Sequence, residues 1–323
     1  GISQGSPFSK KVTGVGIMLR YFVRRMAFLV LTLLGATIVI FSMLHLAPGD
    51  PINLIVGPNV TPEVRENIRH QYGLDRPLAV QYLSFMKSLL HGDLGNSIIQ
   101  HKPVSELIAE RFFVTLELSL TALFISFLIS IPIGIKAALK RNTVTDYALM
   151  ALSLIGISMP TFWFGLMLLY IVAFKLRFFP ISGYGTWRHL FLPALTIGIT
   201  DAALLARMVR SSMLEVIRQD YIRTARSKGL PERVVINRHA LRNALIPIIT
   251  LLGLRIGGVV GGSVVVEIVF ARPGLGRLMV DSILARDYPV VQGVMVVLTT
   301  CIILGNLLAD ILYAVVDPRI KLK

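Results

Sequence analysis

The sequence predicts an all-α membrane protein, with six transmembrane helices and a small helical extracytoplasmic domain after the first. Three observations predict it. Hydrophobic residues make up 54% of the 323 positions and charged residues only 16%, where soluble domains carry about 25% charge. Mean hydropathy is +0.70. Six stretches reach or approach the roughly 20 apolar residues that a span needs. So much apolar surface excludes a soluble enzyme, a disordered chain and a fibre. The single cysteine, Cys301, excludes a disulfide scaffold and a Cys-rich metal site.

Residues 1–25 form an N-terminal tail. It is polar and glycine-containing to about residue 17, and it ends on Arg24 and Arg25. The first span, 26–46, is too long for a signal-peptide core and is followed by no small-x-small site, so it is expected to stay as an anchor. Residues 47–113 form the extracytoplasmic helical domain. Thr61–Pro62 reads as a helix start with Gly73 beyond its end, and Asp75 and Pro77 introduce a second helix that Gly92 stops. In that helix Leu78, Tyr82, Phe85 and Leu89 recur at helical spacing. Residues 114–323 form the permease core. Its spans are expected near Val114–Leu139, Ala148–Phe174, Leu190–Ala206, Ala244–Val266 and Val290–Val316, with a cytoplasmic loop at 207–243. Pro160 and Pro247 are candidate kinks.

Orientation follows from the bases. With the N-terminus inside, inner segments hold 20 Lys and Arg against five acids, and outer segments hold 12 against ten. Arg255 lies within a span. This is the positive-inside pattern, and both termini are expected to be cytoplasmic.

Several chemistries are missing. No GxxxxGK[ST] phosphate loop, HExxH or GxSxG occurs, and the six histidines show no metal-ligand spacing. Gly274 and Gly276 form a lone GxG, a weak signal. No catalytic or metal residue is assigned.

The most informative stretch runs from Met208 to Pro247. Met213, Ile217, Tyr221 and Ala225 recur every four residues and predict an apolar helical stripe. Glu215 with Arg218, and Asp220 with Arg223, are i,i+3 pairs on other faces. Gly229 reads as a helix cap and Pro231 as the next start. A basic amphipathic helix suits an anionic lipid surface or a protein partner. Small Ala225 and Gly229 favour the partner, since they allow close approach and a sharp turn.

This stretch resembles the "EAA" coupling loop of ABC-importer membrane subunits. Arg223 stands at that pattern's Glu position, Thr224 at its first Ala and Ala225 at its second, six residues before Gly229. The departures resemble the peptide-importer branch, as do RTARSKGL at Arg223–Leu230 and HALRNALIP at His239–Pro247. So do APGDP at Ala47–Pro51, GLDRP at Gly73–Pro77, GDLG at Gly92–Gly95, VEIVFARPGLG at Val266–Gly276 and RDYP at Arg286–Pro289. The likeness covers nearly all of residues 20–323, and the chain is identified as similar to B-type permease subunits of dipeptide/oligopeptide importers.

The resemblance implies a type I ABC importer transmembrane fold in a bacterial cytoplasmic membrane. It implies a second, C-type permease subunit, two ATPase subunits that bind ATP and Mg, and an extracytoplasmic substrate-binding protein. This chain would itself bind no cofactor and no nucleic acid. A coupling helix would carry Glu215, Arg218, Asp220, Tyr221, Arg223, Thr224, Ala225, Arg226, Lys228 and Gly229 into an ATPase groove. Nickel and glutathione importers share these motifs. A stand-alone channel or secondary transporter is a further alternative, but no inverted repeat supports it.

Glu117, Asp201, Arg255 and Asp310 lie within spans. A charge at a span centre costs about 2.5–3.5 kcal/mol on insertion scales, so each is expected to face protein or a water-filled path. A structural Arg255–acid pair is the favoured reading, because buried ions are usually paired; a polar lining that meets peptide termini is the other. Gly253, Gly257, Gly258, Gly261 and Gly262 form GxxxG steps suited to close helix packing. In the outer domain Asp50, Glu63, Glu66, Asp75 and Asp93 are candidate polar contacts for a binding protein, or simply a solvated acidic face.

Overall fold

A computed structural model describes residues 27–42, 61–71, 75–245, 261 and 263–316. The N-terminal tail, Asp50, Gly253, Arg255, Gly257, Gly258, Gly262 and most of the fifth expected span lie outside the described residues.

Among the described residues the regular elements are all helices, joined by turns and loops, with one isolated bridge between Asn96 and Pro103. Helix α1 is Ala27–Ser42. The outer domain contributes α2, Pro62–Gln71, and α3, Leu78–Leu90. Both begin where Pro62 and Pro77 predict, since proline is preset for a first turn. Tyr82 and Phe85 of α3 pack on Phe41 of α1, with ring centroids 5.5 and 6.3 Å away. The Tyr82 hydroxyl also lies 3.0 Å from Thr37 Oγ1. Leu78, at the head of the expected apolar stripe, is exposed.

Helix α4, Val104–Leu139, is continuous over 36 residues. The expected domain boundary at 113/114 therefore falls inside a helix. Its length of about 54 Å exceeds the roughly 30 Å hydrocarbon core, so an upright helix would extend beyond that core. The third expected span is two helices, α5 (Val144–Ser158) and α6 (Thr161–Lys175), bent by 102° at Met159–Pro160. Proline lacks the N–H that would continue α5. Helix α7, Trp187–Ile217, runs well past the expected end at Ala206. Residues 207–217 of the expected cytoplasmic loop are thus a continuation of this helix. Helix α8 is Asp220–Ser227, and α9 covers 232–245, widening to π-helical geometry at Val235–Ala240. Three more follow: α10, Val264–Val269; α11, Leu275–Leu284; and α12, Tyr288–Val316.

Helices α4 and α7 run in the same direction and approach closely at two glycines. A Cβ at Gly134 would stand 2.5 Å from Val209 Cβ, and one at Gly198 would stand 2.7 Å from Ile125 Cγ2. Small residues allow such backbone proximity, which drives helix association where water does not.

Three apolar clusters complete the core. At the end that carries the basic loop (the inner end by the sequence expectation), Leu205, Val209 and Met213 of α7 join Ala138 of α4, Ile222 and Ala225 of α8, and Val235, Ile236 and Ala240 of α9. At the opposite end Val104 and Leu107 of α4 pack on Leu275 and Leu278 of α11 and on Val290 and Val294 of α12. A third cluster joins Leu118, Ala173, Leu192, Ile197, Val266 and Phe270.

Candidate coupling site and buried polar networks

Helix α8 has the sequence DYIRTARS. Ile222 and Ala225, three apart, turn into the inner core and are buried. Asp220, Tyr221, Arg223, Thr224 and Arg226 face out. The single stripe expected through Met213, Ile217, Tyr221 and Ala225 does not form. The chain breaks at Arg218–Gln219 between α7 and α8, and the break moves the inward position from Tyr221 to Ile222. The Tyr221 hydroxyl, on the surface, accepts a 2.9 Å bond from Asn243 Nδ2.

Gly229 closes the helix with φ +73°, and its N–H donates to Arg226 O at 2.9 Å. A Cβ there would meet nothing within 4 Å. The left-handed turn, rather than close approach, therefore requires glycine. Arg226 forks onto Glu232 at the start of α9, with Nη2–Oε1 2.7 Å and Nε–Oε2 3.2 Å. This bond holds the Glu232 carboxyl below its usual range and raises Arg226 above its own.

Of the two helix-surface pairs expected, Asp220–Arg223 forms loosely at 3.9 Å. Both partners are exposed, so it contributes little. Glu215 and Arg218 are exposed at the end of α7 and form no ion pair with each other among the described residues. The surface left outward combines Arg218, Asp220, Tyr221, Arg223, Thr224, Lys228 and Gly229. Ala225 faces its own chain.

At the opposite end Glu267 is fully buried on α10. Burying a carboxylate is costly unless donors meet it. Thr115 Oγ1 donates to Oε1 at 2.7 Å, Ser263 Oγ to Oε1 at 3.2 Å, and the Arg277 N–H to Oε2 at 3.1 Å. Thr115 Oγ1 in turn accepts the Leu275 N–H at 2.8 Å. Glu267 thus caps α11, where the helix dipole favours an anion. A Cβ on Gly274 would stand 2.4 Å from the Glu267 carboxyl carbon. The GxG pair therefore makes room for an internal carboxylate and cradles no phosphate.

Arg272, 1% exposed, donates to Glu117 Oε2 at 2.6 Å and lies 5.1 Å from the Tyr184 ring centroid. Glu117 thus pairs with Arg272, whereas Arg255 was the base expected to hold an acid. Asp287 is buried and accepts from Ser97 Oγ, from the Ile98 N–H at 3.1 Å and from the Ile99 N–H at 3.4 Å. It ties the loop after GDLG to the RDYP turn. Near the inner end Asp146 pairs with Arg210. Asp201 on α7 is half-buried. Asp310 lies on α12 beyond its described side chains.

An apolar cavity of about 240 Å³ lies between α4 and α12, lined by Leu116, Leu120, Leu123, Cys301 and Leu304 among others. No charged group lines it, so it does not suit an ionised substrate.

Residues 130–322 match the family described as "Binding-protein-dependent transport system inner membrane component", and residues 18–121 match its N-terminal counterpart. The chain belongs to this family. This binding-protein-dependent transport component is accordingly a membrane permease subunit of an ABC transporter and not its ATPase. It is 45% identical over 306 residues to the glutathione transport system permease protein GsiC of Salmonella choleraesuis, covering 95% of this chain and 100% of the relative. It is 44% identical over 315 residues to the oligopeptide transport system permease protein AppB of Bacillus subtilis, covering 94% and 100%. Inward facing structures of the MetNI methionine ABC transporter share the fold at TM-score 0.57 and 21% identity, over 65% of this chain and 96% of that one. An amino acid ABC transporter follows at TM-score 0.51 and 15% identity, covering 65% and 94%. The fold is that of type I importer transmembrane subunits.

Proposed function

We propose that this chain is one of two membrane subunits of an ATP-driven bacterial importer of peptides. It would pair with a homologous C-type permease, receive peptide from a binding protein at the outer end, and contact one of two ATPases at the inner end. ATP and Mg belong to those ATPases. Both termini are cytoplasmic in this reading, as the basic inner loops favour.

The observation that carries the reading is α8. A short amphipathic helix sits at the inner end, its apolar side fixed by Ile222 and Ala225 and its polar side outward. Arg223, Thr224 and Gly229 are then available to a groove on an ATPase. ATPase closure would press on α8, and the shared inner core would pass the displacement to α7 and α4. Glu117 and Asp201 are the candidate path residues that the described structure contains; Arg255 and Asp310 keep that role by sequence.

Likeness to AppB favours peptides, and likeness to GsiC makes glutathione the second reading. The test is to purify the complex in mild detergent from native membranes and follow uptake of labelled di-, tri- and pentapeptides and of glutathione in proteoliposomes. A second permease, two ATPases and ATP-dependent peptide uptake are expected. Recovery of this chain alone would overturn the coupling role, and uptake of glutathione only would select the second reading.

A further inference from the structure

Helix α5 is poorly held by apolar packing. Its buried residues are Asp146 and Ser153, while Val144, Leu152, Leu154 and Ile155 are exposed. At its base, however, Asp146 is 1% exposed and makes a two-pronged bond with Arg210 of α7: Nε to Oδ1 at 2.6 Å and Nη2 to Oδ2 at 2.6 Å. The Asn142 N–H adds a third donor to Oδ2 at 3.1 Å, from the turn that joins α4 to α5. A planar guanidinium on a carboxylate fixes direction as well as distance. Stability alone does not call for such a pair, because well-packed apolar residues of similar volume often do as well.

Arg210 stands between Val209 and Met213, both fully buried in the inner core that also holds Ile222 and Ala225 of α8. A displacement of α8 that moves this core moves Arg210 with it. Asp146 then carries the displacement to α5, on the near side of the bend at Met159–Pro160. Farther along α5, Gly156 lies against Ala203 of α7, where a Cβ would stand 2.9 Å away. That contact limits how far the two helices can close together.

We propose that the Asp146–Arg210 pair is the latch through which α5 follows the coupling helix during the transport cycle. Both are positioning residues. The proposal rests on the coupling role given to α8 above.

The test uses the complete reconstituted transporter, with uptake per ATP hydrolysed as its readout and the wild-type substrate found among the peptides and glutathione. Asp146→Asn and Arg210→Gln are expected to assemble and hydrolyse ATP, yet lose about tenfold in uptake per ATP, within the range of coupling energies between sites. Arg210→Lys, which keeps the charge without the fork, is expected to fall between. The exchange Asp146→Arg with Arg210→Asp is expected to recover most of the loss. Wild-type uptake per ATP in both single variants would overturn the latch. So would parallel loss of assembly, hydrolysis and uptake that the exchange fails to restore, which marks a purely structural pair. A wild-type complex with no ATPase attached would instead overturn the coupling reading itself.

Discussion

At the scale of single residues, two glycines separate two reasons for the same side-chain absence. Gly229 needs its φ of +73° and has open space around it. Gly274 needs room, because the Glu267 carboxyl occupies the place of a Cβ. Gly229→Ala is expected to cost about 1–2 kcal/mol, the usual penalty of left-handed backbone, and to leave the yield of folded protein near normal. Gly274→Ala displaces a buried carboxylate from three donors, so it is expected to cut folded yield and the detergent melting temperature sharply. Size-exclusion profiles and thermal scans of the two variants side by side check the order. Glu232 offers a separate test. Arg226 lowers its folded pKa below the ordinary 4.5, so this bond stabilises the α8–α9 joint above that value. The contribution is lost as pH falls through the lowered folded value. Hydrogen exchange at Val235–Ala240, corrected for intrinsic rates, is expected to speed up over that acid window, and Glu232→Gln is expected to remove the pH response.

At the scale of elements, the chain's helical periods were legible in the sequence and their registers less so. Helical spacing correctly marked an amphipathic segment at the inner end. The break at Arg218–Gln219 carries neither Gly nor Pro, so nothing local announced it, and one residue of slip exchanged Tyr221 for Ile222 as the inward side chain. The break between α5 and α6 was legible, because Pro160 cannot donate the next helical bond. Each arm has 15 residues, about 22 Å of helix, too little to cross the hydrocarbon alone. Whether broken span or re-entrant loop, the bent pair needs its non-helical joint shielded from lipid by protein or water. Pro160→Ala is expected to leave assembly intact and to lower uptake about tenfold by stiffening the joint, a change within the usual range for coupling between sites. Uptake assays on variants matched for expression measure it, and unchanged uptake would show that the bend is passive.

At the scale of the whole molecule, the least legible features were the buried charges. Asp146, Glu267, Arg272 and Asp287 all lie outside the long apolar runs or at their margins, where hydropathy reads a charge as solvated. The fold buries Glu267, Arg272 and Asp287 by bringing α4 against α10 and α11, and the 92–103 loop against the α11–α12 turn, and it buries Asp146 by setting the base of α5 against Arg210 of α7. Three of them had one trace in the sequence, position inside the quoted motifs: VEIVFARPGLG for Glu267 and Arg272 and RDYP for Asp287; Asp146 lies in none of them. Of the ionisable residues expected within spans, Glu117 pairs with Arg272 and Asp201 is half-buried, while Arg255 and Asp310 fall where no side chain is described. The two ends of the molecule are also separately fastened. Asp287→Asn replaces with a donor one of the two oxygens that accept from Ser97, Ile98 and Ile99. It is expected to loosen residues 96–103 in hydrogen exchange while the amides of α8 keep their wild-type protection.

The close crossing of α4 and α7 has a mechanical consequence. Two helices locked at Gly134 and Gly198 form a beam that resists bending better than either alone, so motion at its inner tip is delivered as tilt. From Gly198 to Ile217 is about 28 Å of helix, and a tilt of about 10° about that crossing sweeps the tip through about 5 Å. A tilt about that crossing carries the two ends of the beam in opposite directions, with no part of the beam unwinding.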